Sequence, residues 1–407
     1  MKIRFMIKKT DLIIIGGGAA GLMCGGTAAE SGKNILVFEK NKNVGKKLSI
    51  TGKGRCNVTN NCNRDEFFAN VVRNPRFLYS AYSSFTPQDV MEFFENRGVC
   101  LKTERGNRVF PVSDRAVDIV KTLEKYCGNQ NIIHKEVADL LVENSMIRGI
   151  VCTDGEKYFS SSVVLCTGGL SYPGTGSTGK GFELANKYGH TIITPQPALV
   201  PLETTNILPL QGLTLKNISL KIIKPNNKKV VYNDFGELLF THFGVSGPLV
   251  LSASSFCENG DLISIDLKPA LDEKTLDKRI CNDFEKNINR NFQNSLDDLL
   301  PKKLIPVIIE KSGITPEKKV NLITKEERRS LVLLLKNFIL EIKQKRPINE
   351  AIITSGGVSV KEIDPKTMGS KIIKGLYFAG EIIDVDAYTG GFNLQIAFMT
   401  ARAVGKV

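Results

Sequence analysis

Thr10 to Gly21 reads TDLIIIGGGAAG. Leu12 to Ile15 is a short apolar run rich in β-branched residues, the pattern of a parallel strand buried on both faces. Gly16, Gly18 and Gly21 then fit G-x-G-x-x-G, and an apolar pattern of helical period runs on through Leu22, Ala28 and Ala29. Each glycine has its own physical reason. Gly16 permits the tight turn out of the strand, Gly18 lets the backbone approach a pyrophosphate, and Gly21 lets the helix lie close to the sheet. Ala19 and Ala20 sit where the helix offers free N–H groups and its positive dipole end. A second apolar run, Asn34 to Phe38, follows and ends at Glu39. That acid lies about twenty residues past the glycines, where a carboxylate takes a ribose hydroxyl. Strand, turn, helix, strand and acid in this order read as a dinucleotide-binding unit.

The chain has 407 residues, enough for a large core and two or three domains. No apolar run is long enough to span a bilayer, and the opening MKIRFMIKK is too short and too polar for a signal peptide. A cytoplasmic protein is expected, with no membrane partner. Nine cysteines are scattered without C-x-x-C pairs and read as reduced thiols, with Cys56 set apart by its polar loop. His134, His190 and His242 lie far apart, which argues against a metal site. The net charge of +13 suits an anionic partner, but much of the lysine sits in short polar runs that read as solvated surface, such as Lys224 to Lys229.

Asn41 to Asn60 (NKNVGKKLSITGKGRCNVTN) reads as a long functional loop. Its cations Lys46, Lys47, Lys53 and Arg55 suit a diphosphate, and Gly52 and Gly54 allow close backbone approach. Ser113 is expected to cap a helix running to Cys127, and three short strands follow from Val137. Ser162 to Thr167 is another buried strand, ending in Thr167, Gly168 and Gly169, which suits contact with a flat ligand. Gly174, Gly176 and Gly179 repeat the glycine pattern, but Leu199 stands where the acid is needed. This second turn reads as a ligand-facing loop ahead of a helix.

The composition changes after Pro197. Strands are expected at Leu215 to Ile223, Lys228 to Tyr232, Leu238 to Thr241 and Leu262 to Leu267. Helices are expected at Glu273 to Ile288, Asp297 to Leu300 and Lys325 to Phe338. FTHFGVSGP places His242 just before a turn, as a candidate proton donor or substrate contact. The last segment repeats the strand-then-glycine pattern of the first. The strand GLYFA leads to Gly380, Glu381 and Asp384, then the Gly390-Gly391 turn, Asn393 and a closing helix from Leu394. The fold class is therefore α/β, with a Rossmann-like nucleotide domain assembled from both chain ends. Its expected limits are residues 1–196 and 348–407, around a β-rich insert, 197–270, and a small helical part, 271–347.

GGGAAG, GKKLSITGKGRCNVTN, CTGGLSYPGTGSTGKG, FTHFGVSGP, TSGGVSVKEIDPKTMGSK and GLYFAGEIIDVDAYTGGFNLQIA occur in this order. Together they resemble the bacterial BaiN/YhiN-like flavoproteins, and the likeness spans nearly the whole chain. It implies a glutathione-reductase-like FAD-binding domain split by an insert. By position, the adenosine half of FAD would meet Gly16 to Gly21, Glu39 and Lys40, with Val137 binding adenine through its backbone. Lys47, Thr51, Gly54, Arg55, Cys56 and Asn57 would approach the diphosphate and flavin. Glu381, beside Gly380, would take the ribityl-phosphate role, and Asn393 with Leu394 would face the isoalloxazine after the Gly391 turn.

The leading expectation is an FAD-dependent oxidoreductase acting on a small organic molecule, with NAD(P)H docking transiently as co-substrate. Reduction of an enone-type double bond and oxidation of an amine by oxygen are both open. A nucleic-acid-associated flavoprotein is the competing class. It is disfavoured because the sequence shows no basic–aromatic stripe and no tryptophan.

Overall fold

The computed structural model describes residues 10–205 and 208–407, so the opening MKIRFMIKK lies outside the described residues. The chain forms two units. One holds the described residues up to Pro197 together with Ile348–Val407; the other is Ala198–Pro347.

The first unit is built on a five-stranded sheet in the order Leu376–Phe378, Val163–Leu165, Leu12–Ile15, Ile35–Phe38, Ile132–Ile133. All four pairings are parallel, with Ile14 between Val164 and Val37. Leu12–Ile15 is central and wholly buried, and each of its side chains contributes about 1.5–3 kcal/mol by burial. The opening helix, Ala19–Glu30, packs against Ala116–Cys127 and the closing helix Phe392–Gly405. Small residues make this close approach possible: a Cβ on Gly26 would run into the Tyr126 ring.

The second unit is a closed barrel of six strands plus helices. Its strand order is Leu202–Thr204, Gly244–Ser246, Val230–Phe240, Thr214–Ile223, Leu262–Asp266, Phe338–Lys345. Helices Glu273–Lys286, Ile305–Ser312 and Lys325–Lys336 all lie between the last two of these strands. The two capped ones start where their side chains dictate. Asp272 accepts from the Thr275 N–H, and Thr324 with Glu327 forms a reciprocal capping box.

Several local expectations are corrected. The helix expected to end at Phe338 ends at Lys336, and Phe338–Lys345 becomes the barrel's closing strand, inside the stretch 271–347 expected to be helical. The signal was present, since Phe338, Leu340 and Ile342 alternate inward. The two strands expected at 228–232 and 238–241 are one, Val230–Phe240, because Asp234 and Gly236 pair across to Leu220 and Ile218 instead of turning. Asp297 to Leu300 is a turn whose leucines are buried. The Asn41–Asn60 loop contains a one-turn helix, Lys46–Ile50, with Leu48 its one buried side chain, too short to show a period. The helix after Ser113 begins at Ala116, and the Ser113 hydroxyl donates to Asp118 at 2.7 Å.

Candidate functional site

The turn after the first strand is shaped by contacts that exclude side chains. Gly16 has φ +106°, and a Cβ there would press on the Cys166 carbonyl. A Cβ on Gly21 would overlap the Gly16 carbonyl oxygen, so the helix lies against the strand end only because Gly21 has none. Gly18 differs: a Cβ there meets nothing within 4 Å. The opening helix has Gly18 as N-cap, no side-chain cap and no acid in its first turn. Its N-terminal N–H groups and positive dipole end are thus left for an anion.

Glu39 is buried beside this turn. It accepts from the Gly17 N–H at 2.8 Å, and from the Asn41 N–H and Nδ2 at 2.8 and 2.7 Å. A carboxylate has about four acceptor sites, so room for one further donor remains. Asn41 was not foreseen from sequence. It also donates from Nδ2 to the Thr175 carbonyl at 3.1 Å, tying the second glycine-rich loop to the end of the second strand. Lys40 donates to Thr178 Oγ1 at 2.9 Å and Lys46 to the Gly174 carbonyl at 2.8 Å.

Lys47 and Glu381 meet directly. Lys47 Nζ lies 2.7 and 3.0 Å from the two Glu381 carboxylate oxygens and donates to Ser171 Oγ at 2.6 Å. Glu381 also accepts from Ser171 Oγ and from the Thr354 N–H. Thr354 Oγ1 in turn accepts from the Leu170 and Ser171 N–H groups. Residues from four separated stretches of sequence therefore share one mostly buried polar knot. Ser171 and Thr354 were not foreseen from sequence, although both stand in the segments that carry the family likeness.

The remaining candidates divide. Asn57 Oδ1 and Thr167 Oγ1 are buried polar atoms with no hydrogen-bond partner, a condition that costs stability unless a ligand or water answers it. Thr51 donates to the Leu48 carbonyl. Cys56 is fully buried, and burial pushes its thiol up to about 12, which disfavours the thiolate. Arg55 is committed elsewhere, to Glu104 and Asp114 with its guanidinium 4.1 Å from the Phe110 ring. Gly54 stands open, and Val137 opens a three-stranded antiparallel sheet. Gly168 and Gly380 both have positive φ; a Cβ on Gly380 would press on Ala20.

At the closing helix, Gly391 is the N-cap in the left-handed region, and a Cβ there would overlap the Thr59 carbonyl. Asn393 folds back on its own loop. Its Nδ2 donates to the Ala387 and Tyr388 carbonyls, and its Oδ1 accepts from the Ala387 N–H. Leu394 is half-buried beside it. His242 belongs to the second unit. It lies exposed in the turn that joins Val230–Phe240 to Gly244–Ser246, with its ring edge-on to Phe243.

These features fit a flavin dinucleotide. An uncapped helix end, an open Gly18, a buried acid with acceptor capacity and two orphaned buried oxygens are what such a ligand would use.

A family model described as "HI0933-like protein Rossmann domain" matches residues 10–407. The chain belongs to this HI0933-like family. It is 32% identical over 407 residues to the ribosomal RNA dihydrouridine synthase of Haemophilus influenzae, covering 98% of each chain. It is 30% identical over 406 residues to the 3-dehydro-bile acid delta(4,6)-reductase of Clostridium scindens, covering 97% of each. Among solved structures it resembles 3-ketosteroid delta1-dehydrogenase from Sterolibacterium denitrificans, with a TM-score of 0.51 and 12% identity over 98% of this chain and 99% of that one. That last likeness is one of fold. Like its family, the chain has a Rossmann-type FAD-binding domain and is a flavin-dependent oxidoreductase. Among the described residues no helix is long and apolar enough to cross a membrane.

Proposed function

We propose that this HI0933-like protein is a cytoplasmic, FAD-dependent reductase that saturates a carbon–carbon double bond conjugated to a carbonyl. The proposed substrate is a uridine of ribosomal RNA, and the proposed electron donor is NAD(P)H. The observation that carries the reading is the full-length identity of 32% to a ribosomal RNA dihydrouridine synthase. The net charge of +13 supports a polyanionic substrate, because lysines on phosphates release counterions. A bile-acid delta(4,6)-reductase at 30% identity supports the same class of step, the loss of a C=C bond.

Bound FAD supplies the hydride-transfer chemistry. The opening helix would hold its diphosphate, Glu39 a ribose hydroxyl and the Val137 backbone the adenine. Thr167 and Asn57 would answer it with their free oxygens. The Lys47–Glu381 knot would hold the Gly168 and Gly380 turns in place beside it. Across the double bond one hydride and one proton add, while the co-substrate NAD(P)H gives up one hydride and becomes NAD(P)+. His242, an exposed imidazole, is the proposed proton donor, and unchanged kcat in His242→Gln would remove it from that role.

The test is a reaction of purified holoprotein with NADH or NADPH and ribosomal RNA from cells lacking the enzyme. Mass spectrometry of the digested RNA should show a uridine that has gained two hydrogens, H2, in a donor-dependent way. If the RNA stays unmodified while a conjugated keto-steroid is reduced, the substrate is a small enone, the reading that the Clostridium relative favours. If neither is reduced, the proposed reaction is wrong.

A further inference from the structure

We infer that the outer face of the barrel hairpin, Thr214–Ile223 with Val230–Phe240, is a platform for single-stranded RNA, with Phe235 as its stacking side chain; this rests on the RNA reading above. The hairpin register makes the platform. Leu220 and Ile222 are fully buried and point into the barrel. The alternate residues point out, where Ser219 pairs with Phe235 and Lys221 with Asn233. Phe235 is 53% exposed, the most exposed phenylalanine or tyrosine among the described residues.

Its surroundings are basic and polar. Lys221 and Asn233 are exposed on the same face, two pairs along from Phe235. Lys216 and Asn217 are exposed at a bulge between Leu215 and Ile218, where Asn217 has φ +55°. Lys228 and Lys229 are exposed at the hairpin tip, beside Val230, which is 46% exposed. Lys224 is set apart, held by Asp261 and Glu258. Of the hairpin's two acids, Asp234 is exposed but stands opposite inward-facing Leu220, accepting from the Tyr232 hydroxyl and the Phe235 N–H, and Glu237 is half-buried.

An exposed aromatic ring flanked by lysines and amide side chains is the chemistry that holds unpaired bases and phosphates. A purely apolar partner would leave these lysines facing it unpaired. An acidic protein would answer the charge but not the flat ring among amides.

The test is binding of a uridine-containing single-stranded RNA oligomer to the holoprotein over a range of salt. Phe235→Ala should weaken binding about tenfold with the salt slope unchanged. Lys216→Gln with Lys221→Gln should lower the slope by about 1.4. All three positions are exposed, so the melting temperature and visible flavin band should stay as in the parent, and a variant that loses either is replaced by Phe235→Ser or by single lysine variants. Parent binding that neither change weakens overturns the platform while leaving the RNA reading intact. Failure of the parent to bind the oligomer at low salt overturns the platform as well, and the ribosomal RNA reaction then decides the substrate separately.

Discussion

Gly16–Gly21 and Gly174–Gly179 carry the same glycine spacing, yet the protein uses them differently. The first turn leaves a strand directly and heads a helix of 12 residues with no side-chain cap. The second is separated from its strand by a loop with a short 3-10 turn, Pro173–Thr175, and heads a helix of 8 residues. Both helix ends lack a side-chain cap, but the second has Glu183 in its first turn where the first has no acid. The second loop also spends acceptors on the chain itself, since Gly174, Thr175 and Thr178 accept from Lys46, Asn41 and Lys40. The same glycine pattern suits an anion better where the first helical turn carries no acid.

The largest effect should come from the first turn. Gly21→Ala forces a Cβ onto the Gly16 carbonyl and should cost about 3 kcal/mol, with loss of the flavin band after gel filtration. Gly179→Ala, where φ is +82° and the obstacle is the Leu170 side chain, should cost about 1 kcal/mol and keep the flavin. A variant at Gly179 that emerges colourless while Gly21→Ala stays yellow would reverse the contrast.

Next comes the Lys47–Glu381 knot. Lys47→Met leaves Glu381 mostly buried without its cation and should lower stability by about 2–3 kcal/mol in urea unfolding. Adding Glu381→Gln should recover part of that loss, and strict additivity would show that the pair is not coupled.

The helix after the second turn should respond to pH. The His190 backbone N–H bonds to the Ala185 carbonyl, its ring Nε2 lies 2.7 Å from Ser370 Oγ, and its ring sits edge-on to Phe378. Burial holds its imidazolium below the ordinary histidine range. The unfolded chain therefore takes up the proton first, and the contribution present above the ordinary value is lost as pH falls below it. Melting should drop between pH values of about 7.5 and 5.5, and His190→Asn should flatten that drop. An equal slope in the variant would assign the acid sensitivity elsewhere.

The smallest structural effect should be at Gly18. With open space around its Cβ, Gly18→Ala should change stability by less than about 0.5 kcal/mol. On the proposed cofactor position it should still weaken FAD retention, because the added methyl would occupy space that no protein atom fills. Unchanged flavin affinity would detach the first turn from the cofactor.

Sequence by itself determined the parallel strand, its glycine turn and the following acid, because these are local patterns with fixed spacing. The composition break near Pro197 and the renewed strand-then-glycine pattern from Gly375 were legible for the same reason. Tertiary structure alone decided which polar groups are spent. Arg55 is claimed by Glu104 and Asp114, Asn393 by its own loop, and Lys47 by Glu381, 334 residues away. The basic–aromatic face was likewise hidden, since Lys221 and Phe235 lie on different strands and become neighbours only through hairpin register. Side-chain partnership depends on distance in space, and a linear pattern records only distance along the chain.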